Sequence, residues 1–548
     1  MKNIKFKIVR FWAAGLLAIA LAALISGCQK NLLDKNPLDQ LSTATFWKSE
    51  SDALLALTGV YNTGSSYDSG PMYDLWKPDT YIRLFDLSAD NGYEKDNNVG
   101  DLNNGNRTAT YGPVQVLWQS SYQKIARCNN FLENIDAVPM DTVTKAAMKA
   151  EVRTIRAYDY FYLAFFWGDI PLVTKVLSIN EANTISRTPR KDVISFVLSE
   201  LQGSAGDLPA TYPEAQKGRI TKAAALAILG RVQLSEKLWG DAVKTYKQII
   251  DLNLYSIDPQ YKQLFEVAGE NSTEIILSAK RMQNVFGTLV QRSCIPFMYG
   301  GYHQFNVYNE LVESYQCTDG KSIQESPLYD PAHPYKNRDP RLYASVFIPE
   351  NTVFKGQLYV AHPDSVKAKD RLPLRAWSGY ALKKFADESY TGPITSYGGD
   401  FPLVRYAEVL LSYLEANIEA GNPITQDLLD QTINKVRGRA AVNMPPVTET
   451  DPVALTPILR NERRVELAFE GLRLYDLFRW HIAHTMLEGK FHGMKLTNDP
   501  ANYTAFPVDN NGYFMCRQMA FRENTDYLFP IPQSERDVET NLTQNPGY

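Results

Sequence analysis

Residues 221–254, TKAAALAILGRVQLSEKLWGDAVKTYKQIIDLNL, constrain the fold more than any other stretch. Apolar spacing predicts helices over 221–236 and 239–252. Gly230 follows Leu229, Ala242 stands twelve residues later, and Tyr246 four beyond that. Small side chains at 230 and 242 let two antiparallel helices approach closely, and the tyrosine ring fills the gap between them.

This register is that of a degenerate tetratricopeptide repeat: Leu226, Ile249 and Leu254 stand where the pattern has Trp, Ala and Pro. Helical periodicity also predicts 50–61, 114–136, 142–166, 190–206, 404–420, 425–440, 453–470 and 472–488. Segment 404–440 reads as a second helix pair without the consensus. Long polar stretches separate the helices at about 63–113, 267–303, 318–402 and 489–526, with short strands expected at 274–280 and 343–348. The expected fold class is mostly α: tetratricopeptide-like helix pairs, an α-α superhelix, with a loop-rich irregular subdomain and a few short strands. No strict period recurs, so a regular solenoid is not expected.

The chain opens with a basic stretch, Lys2, Lys5, Lys7 and Arg10, then an apolar run from Phe11 to Ile25. That run is too short for a comfortable membrane span and suits a signal-peptide core. Ile25-Ser26-Gly27-Cys28 follows, small residues before a cysteine, as lipoprotein processing requires. Residues 1–27 are therefore expected to be removed and Cys28 lipidated, tethering a body of residues 28–548. Without the leader, 53 Lys and Arg face 61 Asp and Glu, which argues against nucleic acid and against a polybasic membrane face. Cys128, Cys294, Cys317 and Cys516 are scattered and are expected to be free, buried small hydrophobes, although Cys294 and Cys317 are near enough in sequence to pair.

Catalytic signatures such as HExxH, GxSxG, Walker A and GxGxxG are absent. His481 and His484 stand three apart with His492 beyond, but no acid or thiol cluster adjoins them in sequence, so no zinc site is expected. The acidic run Asp86, Asp90, Glu94, Asp96 resembles a calcium loop but has Asn91 and Asn97 where that loop needs Gly and Glu. No metal or cofactor is expected.

The stretch NERRVELAFEGLRLYDLFRW, 461–480, carries Glu462, Glu466 and Glu470 at intervals of four. Continued as a helix, Ile458, Val465, Phe469 and Leu472 make its apolar stripe, with Glu462 inside the stripe and Glu466 at its border. Carboxylates there need partners, and Arg463, Arg473 and Arg479 are close in sequence. The expectation is a structural ion network of Glu462, Arg463, Glu466, Glu470, Arg473, Asp476 and Arg479, and no catalytic pair.

These residues also carry a family likeness. Leu33-Asp34-Lys35-Asn36-Pro37, Phe46-Trp47, Arg156-Ala157-Tyr158, Trp167-Gly168-Asp169-Ile170-Pro171, Arg219-Ile220-Thr221-Lys222-Ala223, Pro402 to Glu408, Glu462-Arg463-Arg464 through Trp480, and Asn545-Pro546-Gly547-Tyr548 resemble the SusD/RagB family of Bacteroidetes outer-membrane lipoproteins. The likeness runs over nearly the whole chain, with an N-terminal part at about 28–260 and a C-terminal part at about 270–548. It implies a non-enzymatic, lipid-anchored protein of the outer membrane, facing the cell exterior. It implies capture of oligo- or polysaccharide and delivery to a SusC-like TonB-dependent transporter. No ligand residue transfers by match. From loop placement, Tyr73, Trp76, Tyr81, Asp90, Asn91, Tyr302 and Trp377 are the expected glycan contacts, since aromatic faces stack on sugar C–H patches while polar groups meet hydroxyls. The alternatives are a SusD-like binder of peptide or another nutrient, a surface glycoside hydrolase, and a peptide-binding tetratricopeptide scaffold.

Overall fold

The computed structural model describes residues 46–62, 73–96, 99–374, 377–503 and 506–548. Cys28 and the leader lie outside them. The described chain is mostly helical. Its helices are α1 (Glu50–Tyr61), α2 (Gly112–Asn134), α3 (Thr142–Trp167), α4 (Arg190–Asp207), α5 (Lys222–Ser235), α6 (Trp239–Asp251), α7 (Tyr406–Glu419), α8 (Pro452–Glu466) and α9 (Arg473–Arg479), with shorter helical turns between. Helices α2 to α6 pack each on the next or next but one, α7 closes on α6, and α8 closes on α7.

The α5–α6 pair forms as its residues require. Thr221 caps α5 by accepting from the Ala224 N–H. A Cβ at Gly230 would stand 2.4 Å from Tyr246 Cζ, so only glycine lets the ring sit there. Helix α3 is buried along most of its length and supplies Tyr158, Tyr162 and Phe166 to one aromatic cluster with Phe85, Phe478 and Phe529.

Small sheets fill the irregular half. A four-stranded sheet runs in the order Gly92–Glu94, Phe305–Val307, Ala381–Leu382, Val346–Phe347. Ile275–Ala279 pairs antiparallel with Phe401–Arg405, and Gly489–Lys495 with Tyr513–Met519.

Five expected segments differ. The helix expected over 453–470 ends at Glu466, because Phe469 and Gly471 take positive φ (64° and 80°). Phe469 and Leu472 are buried from a turn and not from a helical stripe. The helix expected over 472–488 stops at Arg479; a second short helix, Ala483–Met486, follows His481 at φ 55°. Segment 425–440 breaks at Thr432. Segment 343–348 is helical to Ser345 before its strand. The largest difference is in the polar stretch 63–113. Residues 73–94 run through the interior and include a π-helical segment, Thr80–Asp86, buried throughout.

Candidate functional site

The three glutamates of the 461–480 stretch are enclosed by cations. Glu462 meets Arg341 and Arg437, each at 2.5 Å. Glu466 meets Arg439 at 2.6 Å, Arg405 at 2.7 Å and Arg341 at 2.8 Å. Glu470 meets Arg405 and Lys384, each at 2.6 Å. Glu274 joins through Arg405 and Arg439, and Asp339 through Arg341. The connected group holds five carboxylates and five cations, all buried. Burial opposes ionisation of Glu466, but Arg439, Arg405 and Arg341 outweigh it and hold the carboxyl below its ordinary range. Arg463 pairs with Asp476 at 3.1 Å, and Arg479 bridges Asp476 and Glu415 at 2.8 and 2.5 Å. Arg473 grips Asp90 at 2.7 Å. General acid–base work needs a transferable proton and a cleft; these carboxylates are paired with cations and closed off from solvent.

Burial corrects four of the expected glycan contacts. Asp90 is buried between Arg473 and Arg464, which overcome its desolvation and hold it at about 2. Asn91 donates to Asp86 and accepts from Arg464 Nε at 3.0 Å. The Tyr81 hydroxyl is bonded to the Leu75 carbonyl and lies 2.8 Å from that of Tyr158, its ring against Gly471. Tyr73 is 2% exposed. These side chains belong to the interior and present nothing to a ligand from solution. Asp86, Asp90 and Asn91 stand in a polar run because their side chains are matched inside the protein, not because the run is a solvated loop.

Trp76 is also buried, at 4% exposure, yet it forms a wall of a cleft of about 710 Å³. Tyr61 and Tyr158 hold the indole edge-on, with ring centroids 5.9 Å away in both cases. The Trp76 carbonyl accepts from Arg281 Nη2 at 2.6 Å, and the Arg281 guanidinium lies over the Phe286 ring at 4.7 Å. Burial pushes Arg281 down to about 10. The basic rim is partly neutralised: Arg219 pairs with Glu151, and Lys280 with Asp400. Val285 and the neighbouring Met282 are exposed, at 67% and 61%. The cleft can hold an apolar face against Trp76 and Phe286 with hydrogen-bond donors around it. Tyr61, Arg281 and Phe286 were not legible as lining residues; the one hint was Met282 and Val285 inside a polar stretch.

Tyr302 and Trp377 are the two expected contacts that stand open, at 42% and 40% exposure. Both flank the strand Phe305–Val307. Arg292 sits 3.4 Å from the Tyr302 ring centroid, and Phe297 stacks beside it at 6.2 Å. The Trp377 N–H donates to Asn306 Oδ1 at 3.2 Å. Arg292 therefore covers one face of Tyr302, and Trp377 is the better stacking platform of the two.

Cys128, Cys294, Cys317 and Cys516 are free thiols; the first three are buried and Cys516 is only half-buried. Among the described residues no helix is long and apolar enough to cross a membrane.

Comparison with known proteins matches residues 273–548 to a family model described as the SusD family. Residues 33–234 match one described as starch-binding, associating with the outer membrane. A crystal structure of a SusD-like carbohydrate-binding protein from Bacteroides fragilis is 37% identical, covers 91% of this chain and 100% of its own, and superposes with a TM-score of 0.87. A SusD-like protein of Formosa agariphila is 26% identical over 491 residues, 83% of this chain and 87% of that protein. A laminarin-binding SusD-like protein shares the fold at 21% identity, with a TM-score of 0.68 and 92% of this chain covered against all of its own. The helix array shared with the Bacteroides fragilis structure and the matches along both halves lead to one conclusion: the chain belongs to the SusD family.

Proposed function

We propose that this protein is a non-enzymatic, lipid-anchored binding protein of the outer-membrane surface, which captures oligo- or polysaccharide and passes it to a SusC-like TonB-dependent transporter. The observation that carries the reading is the match over the full length of the Bacteroides fragilis carbohydrate-binding relative. Exposed Trp377 and the open part of Tyr302 offer ring surface for sugar stacking, and the Trp76 cleft offers a second surface for the same chemistry. The acids of the 461–480 stretch are committed to arginines, which supports binding without hydrolysis. Cys28 supplies the anchor in this reading.

The test is calorimetric titration of the purified protein with plant, fungal and host polysaccharides, with an assay for released reducing ends in each mixture. Saturable binding without release supports the proposal and identifies the cargo class. Release of reducing ends, or binding of peptides and of no sugar, refutes it. Co-purification with a TonB-dependent transporter from native membranes tests the handover.

A further inference from the structure

The sequence leaves His481 and His484 as two imidazoles without an acid. The fold supplies one. Helix α9 ends at Arg479, His481 takes φ 55°, and the helix Ala483–Met486 starts immediately after. The segment following the strand Tyr513–Met519 returns to this corner and brings Glu523 alongside. One donor atom from each of His481, His484 and Glu523 lies within 4.8 Å of the other two.

Tyr527 organises the pair of imidazoles. Its ring stacks on His481 with centroids 4.2 Å apart, which fixes that ring's plane. Its hydroxyl lies 2.8 Å from His484 Nδ1. That bond occupies one nitrogen of His484 and leaves Nε2 facing Glu523 Oε1 at 3.8 Å. A hydrogen bond on the far nitrogen is how metal-binding imidazoles are oriented and held in one tautomer.

We propose that His481, His484 and Glu523 form a divalent transition-metal site of the zinc class, with its remaining coordination positions open to water or to an external donor. Two imidazoles and one carboxylate suit zinc and its neighbours, whereas calcium and magnesium take oxygen ligands. Zinc–ligand distances of about 2.0–2.2 Å place tetrahedral donors roughly 3.3 Å apart. The donors, within 4.8 Å of one another, must draw together when the metal binds. Metal binding would tie the loop that carries Glu523 to the corner after α9.

The experiment is titration of the tag-free full chain in detergent with zinc chloride against a chromogenic chelator, alongside thermal melting with and without zinc. One saturable equivalent and a rise in melting temperature are expected. His481→Ala and His484→Ala should each weaken zinc more than tenfold. Tyr527→Phe keeps the stack, loses the orienting hydroxyl, and should weaken it about tenfold. Glu523→Gln should weaken zinc while leaving the zinc-free melting temperature unchanged. His492→Ala, at the separate His492–Glu310 pair, should bind zinc as the parent does. No saturable uptake, uptake unchanged in the His481→Ala/His484→Ala double variant, or loss in His492→Ala alone would overturn the assignment.

Discussion

Replacing Glu466 with Gln keeps the side chain's shape and deletes its charge. Glu466 Oε1 accepts from Arg405 and Arg439, and Oε2 accepts from Arg341. An amide can present an oxygen to one side only; its NH₂ then points at a guanidinium that has only donors to offer. The connected group would hold five cations and four carboxylates, a net positive charge with no access to water. Removing one partner of a buried pair costs about 3–5 kcal/mol, chiefly because the other charge is left uncompensated. Unfolding entropy near 2.1 cal/mol/K per residue over about 500 residues gives about 1 kcal/mol/K, so Tm should fall by about 3–5 °C. Differential scanning calorimetry measures this directly. The double variant Glu466→Gln/Arg439→Gln restores the charge balance and should melt above the single variant, a coupling that separates charge from shape. Glycan affinity, measured at a temperature where both are folded, should not change. A Glu466→Gln protein that melts within about 1 °C of the parent and has lost its glycan would show that this carboxylate serves the ligand, and the structural account would fail.

The other predictions rest on separate features. Asp90→Asn should destabilise the protein at neutral pH by about 2 kcal/mol, since Arg473 and Arg464 hold this carboxyl at about 2 in the folded state against an ordinary value near 3.8. Because the folded value is the lower one, that contribution is present above about pH 4 and is lost as pH falls towards 2; urea unfolding of parent and variant across this window should show the gap closing. Gly230→Ala drives a methyl into the Tyr246 ring and should cost about 1–3 kcal/mol by the same unfolding assay, with Tyr246→Leu in the same chain recovering part of it. Trp377→Ala should weaken glycan binding in calorimetry with little change in Tm, because the ring is exposed; Tyr302→Ala should weaken it too, with a small loss of Tm from the Arg292 contact. Trp76→Ala should behave differently: the ring is buried, so its removal should lower Tm by several degrees whatever it does to binding, about 3–5 kcal/mol for an excavated tryptophan.

What the sequence by itself determined are the features governed by near neighbours in the chain. The starts of α1, α3 and α5 follow from caps at Ser49, Asp141 and Thr221, which lie one residue before the turns they serve. The α5–α6 contact was legible because Gly230, Ala242 and Tyr246 meet across one short turn. The need of Glu462 and Glu466 for arginines followed from their place in an apolar register. Tertiary structure decided which arginines answered. Arg341, Arg405, Arg437 and Arg439 come from outside the 461–480 stretch, because a buried carboxylate is compensated by whichever cation the fold brings within reach, not by the nearest one in sequence. The same physics hid the interior course of residues 73–94. Asp86, Asp90 and Asn91 read as solvent-facing until the backbone N–H groups of Phe469 and Gly471 and the side chains of Arg464 and Arg473 are set around them. It also joined Glu523 to His481 and His484 across some forty residues, and it separated Trp76, packed between Tyr61 and Tyr158, from Trp377, left open beside a strand. Periodicity and capping are local and can be read along the chain; burial of a polar or aromatic side chain depends on partners that only the folded chain assembles.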